Sequence, residues 1–324
     1  MTWPLSWEKA ISSVSELEHQ PVMLAEALEL LAVREGGTYL DCTLGGGGHA
    51  REMIRRAGPG GSLIGLDRDE DSLARAAANL SDFSSQVTLI NSDYRFVDRV
   101  LAELGITGVD GVIFDLGVST WQVLDPERGF SYSYDAALDM RMDRKTDVTA
   151  ADLVNGLKEQ ELAGLIQRFG EERWAKRIAS FITAARVKQP IATTGQLVEI
   201  IKAAIPAAVR RTGPHPAKRT FQALRIAVND ELAGLEQALR LAIRILKPGG
   251  RIVVISFHSL EDRIVKNSFR DRALSRDGME PIAGEGIRIL TRKPLRPGAI
   301  EVEQNPRARS AKLRAAEKFA GRLQ

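Results

Sequence analysis

Four consecutive glycines, Gly45 to Gly48, separate the apolar run Tyr39-Leu40-Asp41-Cys42-Thr43-Leu44 from His49 and the segment after it. Glycine lets the backbone turn tightly and lie close against a ligand, because no Cβ stands in the way. A plain turn from strand to helix needs one or two glycines, so four in succession point to a bound molecule. Gly45, Gly47 and Ala50 also fit the loose dinucleotide pattern. At this loop a nicotinamide cofactor and a methyl donor are both open. Asp67, about twenty residues further on, is placed to accept hydrogen bonds from two ribose hydroxyls, which either molecule supplies.

Polar residues recur after each later apolar run, as Ser92-Asp93-Tyr94 and as Asp115-Leu116-Gly117-Val118-Ser119. In open α/β sheets the ligand lies across such carboxyl ends, and this succession favours the methyl donor. Tyr94 offers a ring to stack on adenine, with simple packing as its alternative. Asp93 offers an acceptor to the adenine amino group, and Asp115 a carboxylate to a sulfonium or to the amino-acid tail. Cys42 sits in an apolar run with no basic neighbour and reads as core rather than nucleophile. His49 either contacts the ligand through its backbone N–H or caps the turn. His258 and the Ser259-Leu260-Glu261-Asp262-Arg263 that follows are catalytic, substrate-facing or a structural hydrogen-bond corner.

These residues need a sheet to hold them. Apolar runs at Thr38–Thr43, Ser62–Asp67, Gln86–Asn91 and Val109–Leu116 alternate with helical stretches at Ala50–Ala57 and Asp71–Asn79, behind a leading helix at Pro21–Ala32. That alternation predicts a parallel sheet. Lys247-Pro248-Gly249-Gly250 introduces a fifth strand, Arg251–Phe257, yet well over a hundred residues separate Asp115 from Arg251. A helical crossover takes far fewer, so a domain is inserted.

The inserted segment is helical in pattern, at Lys158–Phe169, Arg173–Val187 and Thr194–Ala204. Apolar residues from Phe221 to Leu246 then recur at spacings of three and four, which predicts one long amphipathic helix. A short helix follows at Leu260–Ser268, and Ile287–Leu290 and Ala299–Val302 read as closing strands. The expected division is residues 1–123 with 231–324 as the discontinuous core, and 124–230 as the insertion.

The chain has 324 residues, 44% of them hydrophobic, enough for a substantial core. One cysteine excludes an internal disulfide framework, and histidines at 19, 49, 215 and 258 have no zinc-type spacing, so no metal is expected. A reducing, cytoplasmic setting fits. Met1–Ser13 carries no leader pattern, and no run of eighteen apolar residues occurs, so no membrane partner is expected.

Several blocks together resemble one family, the small-subunit rRNA cytosine-N(4) methyltransferases known as RsmH or MraW. They are His19–Leu31, Asp41–His49, Asp115–Gln122, Glu127–Ser131, Leu138–Asp143, His215–Val228, Ser256–Lys266 and the Asn305-Pro306-Arg307-Ala308-Arg309-Ser310 run with its preceding acid, and they span nearly the whole chain. The resemblance implies a class I methyltransferase core, α/β with seven strands and the last antiparallel, carrying a helical insertion after strand four. It implies S-adenosylmethionine as cofactor, with contacts at Gly47, Gly48, His49, Asp67, Tyr94, Asp115 and Gln122. It also implies a target, the exocyclic amine of one cytosine in the decoding region of 16S rRNA, within the small ribosomal subunit. Monomer and homodimer both stay open.

Methyl transfer to an amine is a direct displacement, so alignment and exclusion of water matter more than any covalent residue. A cytosine amine is a weak nucleophile, and an oxygen acceptor near its N–H helps. Asp115 is the first choice for that acceptor, with Ser119 and loop carbonyls as alternatives. The acid-Pro-Pro-aromatic run of many amine methyltransferases is absent, since Leu116-Gly117-Val118 follows Asp115. Cofactor positioning by Asp115 therefore stands beside proton acceptance.

A splayed base is held by stacking, and the run from Arg128 to Tyr134, with Phe130 at its centre, supplies aromatic and guanidinium groups. Between Ile205 and Arg225, Arg210, Arg211, Lys218 and Arg219 lie among basic residues with no acid, and the tail from Asn305 is also basic. Both read as phosphate-binding surface. The competing readings are a methyltransferase with another acceptor, a dinucleotide-dependent oxidoreductase and a non-enzymatic RNA-binding assembly factor.

Overall fold

A computed structural model describes residues 21–211, 213–275 and 285–319. Met1–Ser13, discussed above for leader signals, and the end of the basic tail lie outside the described residues. The chain divides into two compact units, Met1–Gly117 with Leu232–Gln324, and Val118–Glu231.

The first unit is built on a seven-stranded sheet. Its strands are β1 (Thr38–Asp41), β2 (Ser62–Asp67), β3 (Val87–Asn91), β4 (Val109–Asp115), β5 (Leu246–Ser256), β6 (Ile287–Ile289) and β7 (Lys312–Lys318), in the order β3-β2-β1-β4-β5-β7-β6. β1 pairs in parallel with both β2 and β4, and β7 runs antiparallel between β5 and β6. The strand order reverses beside β1, so the carboxyl ends of β1 and β4 open onto a crevice.

Side chains alternate across the sheet, and each face is covered by helices. Leu40, Val112, Phe114, Ile252 and Val254 share one buried cluster with Val97 and Leu101 of α4 (Val97–Glu103) and Leu235 and Leu239 of the helix Glu231–Ile245. Tyr39, Leu63, Ile113, Val253 and Ile255 share the other with Leu28 and Leu31 of α1 (Leu24–Leu31), Met53 and Ile54 of α2 (Gly48–Ala57) and Ala76 of α3 (Glu70–Asn79). Cys42 is buried in the first cluster, as expected of a core residue.

Three expectations are corrected. Ala299–Val302 is not a strand; it lies in the short helix Ala299–Gln304, made mostly of alanine, glutamate and glutamine, which favour helix despite their alternating polarity. Half of the cations in the basic tail are not open phosphate-binding surface, because Lys312, Arg314 and Lys318 stand in β7, whereas Arg307 and Arg309 stay exposed. In β7, Arg314 and Lys312 donate to Asp262 at 2.7 and 3.2 Å, and Lys318 Nζ donates to the Ile243 carbonyl at 2.8 Å. The single long helix is two, Lys218–Asn229 and Glu231–Ile245, broken at Asp230, whose φ of 46° is left-handed. Aspartate tolerates that conformation better than most residues.

The second unit contains α5 (Thr120–Leu124), α6 (Ala150–Gly156), α7 (Glu159–Gly170), α8 (Ala175–Arg186), α9 (Thr194–Ala204), α10 (Ala207–Arg210) and α11 (Lys218–Asn229). Leu162, Ile166, Ile178, Ile182, Leu197, Ile201, Phe221 and Leu224 form its apolar centre. The irregular segment before α6 is fastened to α11 by Asn229. Its Oδ1 accepts from Met142 N at 2.7 Å, and its Nδ2 donates to the Met140 carbonyl at 2.7 Å. No helix among the described residues is long and apolar enough to cross a membrane.

Candidate functional site

The glycine loop turns at the carboxyl end of β1. Gly45 and Gly47 adopt φ of 53° and 80°, a region where a side chain would strain the backbone, and Gly47 is the N-cap of α2 with no side-chain cap. A Cβ on Gly48 would lie 2.5 Å from Pro21 Cγ, whereas one on Gly46 would meet nothing within 4 Å. The loop is thus pressed on one side and open on the other. The uncapped positive end of α2 lies at this opening, a place that favours an anionic group such as a carboxylate.

Asp67 closes the loop from β2. Its Oδ2 accepts from Gly45 N at 2.8 Å and its Oδ1 from Asp69 N at 2.9 Å. Burial pushes its carboxyl up to about 6, against the pull of those two N–H groups. Asp41, at the end of β1, is 2% exposed and pushed up to about 7 by burial, with Asp67 adding repulsion.

Asp115 ends β4, its backbone N–H donating to Thr43 Oγ1 at 2.6 Å. Burial, then the carboxylates of Asp41 and Glu261, raise its carboxyl well above the usual range. Its Oδ1 is buried with no hydrogen-bond partner among the described residues. Its Oδ2 faces His49 Nδ1 at 3.7 Å. The other ring nitrogen of His49 lies 3.0 Å from the Val22 carbonyl, which only accepts, so that nitrogen carries a proton. The Nδ1 facing Asp115 is then bare in neutral His49 and a donor in its cation. The imidazole points inward and does not cap the turn.

Tyr94 is buried, edge-on to Phe114 at 5.9 Å, with the Arg68 guanidinium 5.5 Å over its ring. Asp93 is engaged by its neighbours: Oδ1 accepts from Arg95 N at 2.8 Å, and Oδ2 lies 3.5 Å from Arg68. Gly47, Gly48, His49, Asp67, Tyr94 and Asp115 all lie in the first unit, and Gln122 in the second. Gln122 Oε1 accepts from Ser119 N at 3.0 Å and its own N–H donates to Ser119 Oγ at 3.2 Å, the reciprocal cap of α5.

Asp41 was not singled out from sequence, and Glu261 only within the run that follows His258. Asp41 is an acid inside an apolar strand, which was a signal. Glu261 accepts from Phe257 N at 2.8 Å and His258 N at 3.2 Å, while His258 caps the following helix, α13 (Ser259–Arg272). His258 thus shapes this corner through one ring nitrogen, while its Nε2 is buried 3.1 Å from Glu261 Oε1.

Among the expected RNA contacts, Phe130 is 8% exposed and packs with Leu138, Met140 and Met142 in the helical core. Tyr132 and Tyr134 are both half-buried, and Tyr132 stacks on His215 with ring centroids 4.6 Å apart. Arg210, Arg211, Lys218 and Arg219 are exposed.

The donor set suits a cationic ligand. Carboxylates crowded at one sheet edge raise one another's proton affinity, and a sulfonium or ammonium placed among them relieves that repulsion. The open side of the loop at Gly46 leaves room for it. For Asp41 and Asp67 the folded carboxyls lie above the unfolded value, so the fold prefers them protonated. The resulting stability is full near pH 4 and lost as pH rises towards about 7 for Asp41. The donor-free melting temperature of Asp41→Asn should therefore gain on the wild type across that interval, and the wild type's affinity for S-adenosylmethionine should rise from pH 5 to 8. Parallel melting curves for the two proteins would sink the first expectation.

A parallel sheet of this order, closed by one antiparallel strand and carrying a glycine loop and acidic strand ends at its reversal, defines an S-adenosylmethionine-dependent methyltransferase of class I. The chain belongs to the MraW methylase family, whose sequence model matches residues 16–319. It is 56% identical to the Ribosomal RNA small subunit methyltransferase H of Symbiobacterium thermophilum, over 93% of this chain and 96% of that protein. To the protein of the same name from Heliobacterium modesticaldum it is 52% identical, over 93% and 98%.

Proposed function

We propose that this protein methylates rRNA of the small ribosomal subunit, at the exocyclic N(4) of a cytosine in 16S rRNA. The relatives' names support rRNA as substrate class. The observation that carries the chemistry is Asp115, whose buried and unpartnered Oδ1 sits at the end of β4 among other acids. When bound, S-adenosylmethionine supplies a methyl group on a positively charged sulfur.

The chain's residues do the rest. Gly47 and Gly48 let the backbone lie against the donor, with Asp67 for its ribose and Tyr94 for its adenine. Asp115 takes the proton that the amine releases as its nitrogen bonds to the methyl carbon and the carbon–sulfur bond breaks. His49, whose Nδ1 faces Asp115 Oδ2 at 3.7 Å, favours the ionised carboxylate when it is a cation. The helical unit, for which residues 124–230 were expected, recognises RNA. Arg210, Arg211 and Lys218 are exposed cations with no carboxylate partner among the described residues, suited to phosphates.

The test uses unmodified small subunits and a radiolabelled methyl donor, followed by digestion to nucleosides. Label in N(4)-methylcytidine is the expected result, and label elsewhere or none at all overturns the assignment. RNA affinity should also fall steeply with salt, its logarithmic slope near −0.7 for each phosphate contacted on single-stranded RNA. A flat profile would argue against the electrostatic surface.

A further inference from the structure

The start of α8 carries a feature that none of the foregoing uses. A cavity of about 210 Å³ is lined by Gln167, Glu172, Arg173, Trp174, Lys176 and Arg177, all in the helical unit. It is smaller than the ~300–1,000 Å³ of pockets that take drug-sized ligands, and so suits one planar ring. Trp174 is half-buried and forms its aromatic wall, with the Arg173 guanidinium 5.6 Å over the indole. Arg173, Lys176 and Arg177 are exposed, and none has a carboxylate partner among the described residues.

The acid in the wall is already occupied. Glu172 is 8% exposed and its Oε1 accepts from Trp174 N at 2.9 Å. Trp174 is the N-cap of α8 and brings no side-chain cap of its own. The positive end of a 12-residue helix thus adds to three cations around one indole. This surface also continues into the basic segment before and within α11. Arg219 Nη1 donates to the Glu171 carbonyl at 2.8 Å, and a Cβ on Gly170 would lie 2.5 Å from the Arg219 carbonyl oxygen.

We infer that the Trp174 cavity is a second RNA-binding subsite, in which one unpaired base stacks on the indole while Arg173, Lys176 and Arg177 hold the flanking phosphates. Aromatic faces and guanidinium planes bind splayed bases without regard to sequence, and paired cations track the backbone. Duplex RNA does not suit the site, because a base must leave its stack to reach the indole. The subsite rests on the reading of RNA as substrate and extends it. It anchors a single-stranded segment other than the base that is methylated.

The test is anisotropy titration of a short fluorescent single-stranded oligoribonucleotide with the full-length protein, across a series of salt concentrations. Trp174→Ala should weaken binding by about tenfold, and Trp174→Phe should recover most of the loss. Lys176→Glu with Arg177→Glu should weaken it further and flatten the salt slope by about 1.4, or ~0.7 for each lost phosphate contact. Affinity for S-adenosylmethionine should not change in any of them, which separates loss of the subsite from loss of the fold. Wild-type RNA affinity in both the alanine and the double-glutamate variants overturns the subsite alone. No RNA affinity in the wild type overturns the RNA reading and the subsite with it.

Discussion

Asp115→Asn is expected to lower methyl transfer by on the order of 10²–10⁴-fold, the usual range for loss of a positioned proton acceptor, while S-adenosylmethionine affinity moves less than tenfold. Asparagine keeps the size of the side chain, and the hydrogen bond from the Asp115 backbone to Thr43 Oγ1 does not depend on the carboxylate. The loss is confined to charge and proton affinity. Burial, and then crowding by Asp41 and Glu261, matter here, because a carboxyl raised above its ordinary range is a stronger base once ionised.

The two roles of Asp115 separate in this variant. A residue that only positions the donor through charge loses affinity when neutralised. Calorimetric titration of donor binding, beside single-turnover methylation of small subunits, measures both. A large drop in affinity with single-turnover methylation preserved at saturating donor would show that Asp115 holds the donor and that another group takes the proton. His49→Gln gives a smaller version of the same test: Gln retains a donor for the Val22 carbonyl but cannot become the cation that faces Asp115 Oδ2.

Strands β1, β2 and β4 were legible from sequence because they are mostly buried on both faces and read as apolar runs between helical stretches; β3, at the sheet edge, is only half-buried but keeps Val87, Leu89 and Ile90 as its apolar run. β7 was not legible, since three of its seven residues, Lys312, Arg314 and Lys318, are cations. Their charges are met by Asp262 and a carbonyl distant in sequence. A pairing of that kind leaves no local period. The break between α11 and the helix after it was hidden for the same reason: Asn229 and Asp230 interrupt no apolar spacing, and the partner of Asn229 lies 89 residues away at Met140.

The site was more legible than its electrostatics. Glycines and acids at strand ends announce themselves by residue type. That Asp41, Asp67, Asp115 and Glu261 act on one another's proton affinity depends on strand order, because β1 must lie between β2 and β4 for those ends to converge. Phe130 shows the opposite failure. Its neighbours Arg128 and Tyr132 suggested a stacking platform, yet its ring fills the helical core. An aromatic in a polar run carries no sequence mark of which way it faces.

Gly129→Ala should be the most damaging single methyl addition in the helical unit. Gly129 has a φ of 65°, and a Cβ there would lie 2.1 Å from the Ala137 carbonyl oxygen and 2.9 Å from Asp139 N. Both obstacles are backbone, so no side chain swings aside to admit the methyl. The same stretch is tied down on every side, since the Arg128 carbonyl accepts from Met140 N at 2.9 Å and Asn229 holds Met140 and Met142. Left-handed strain and backbone collision together belong with the exceptional substitutions that cost about 4 kcal/mol or more. For a unit of this size that is roughly 15 °C or more in melting temperature. Gly164→Ala is the matched control: it sits in α7 with nothing within 4 Å of a Cβ, and alanine there should be neutral or stabilising by up to ~1 kcal/mol. The residues of the glycine loop, Asp67 and Asp115 all lie in the other unit. Gly129→Ala should therefore lose RNA binding and methylation at temperatures where it still binds S-adenosylmethionine. Calorimetry with and without the donor reads this out directly. A wild-type melting profile would mean the segment from Arg128 to Met140 shifts to accept the methyl.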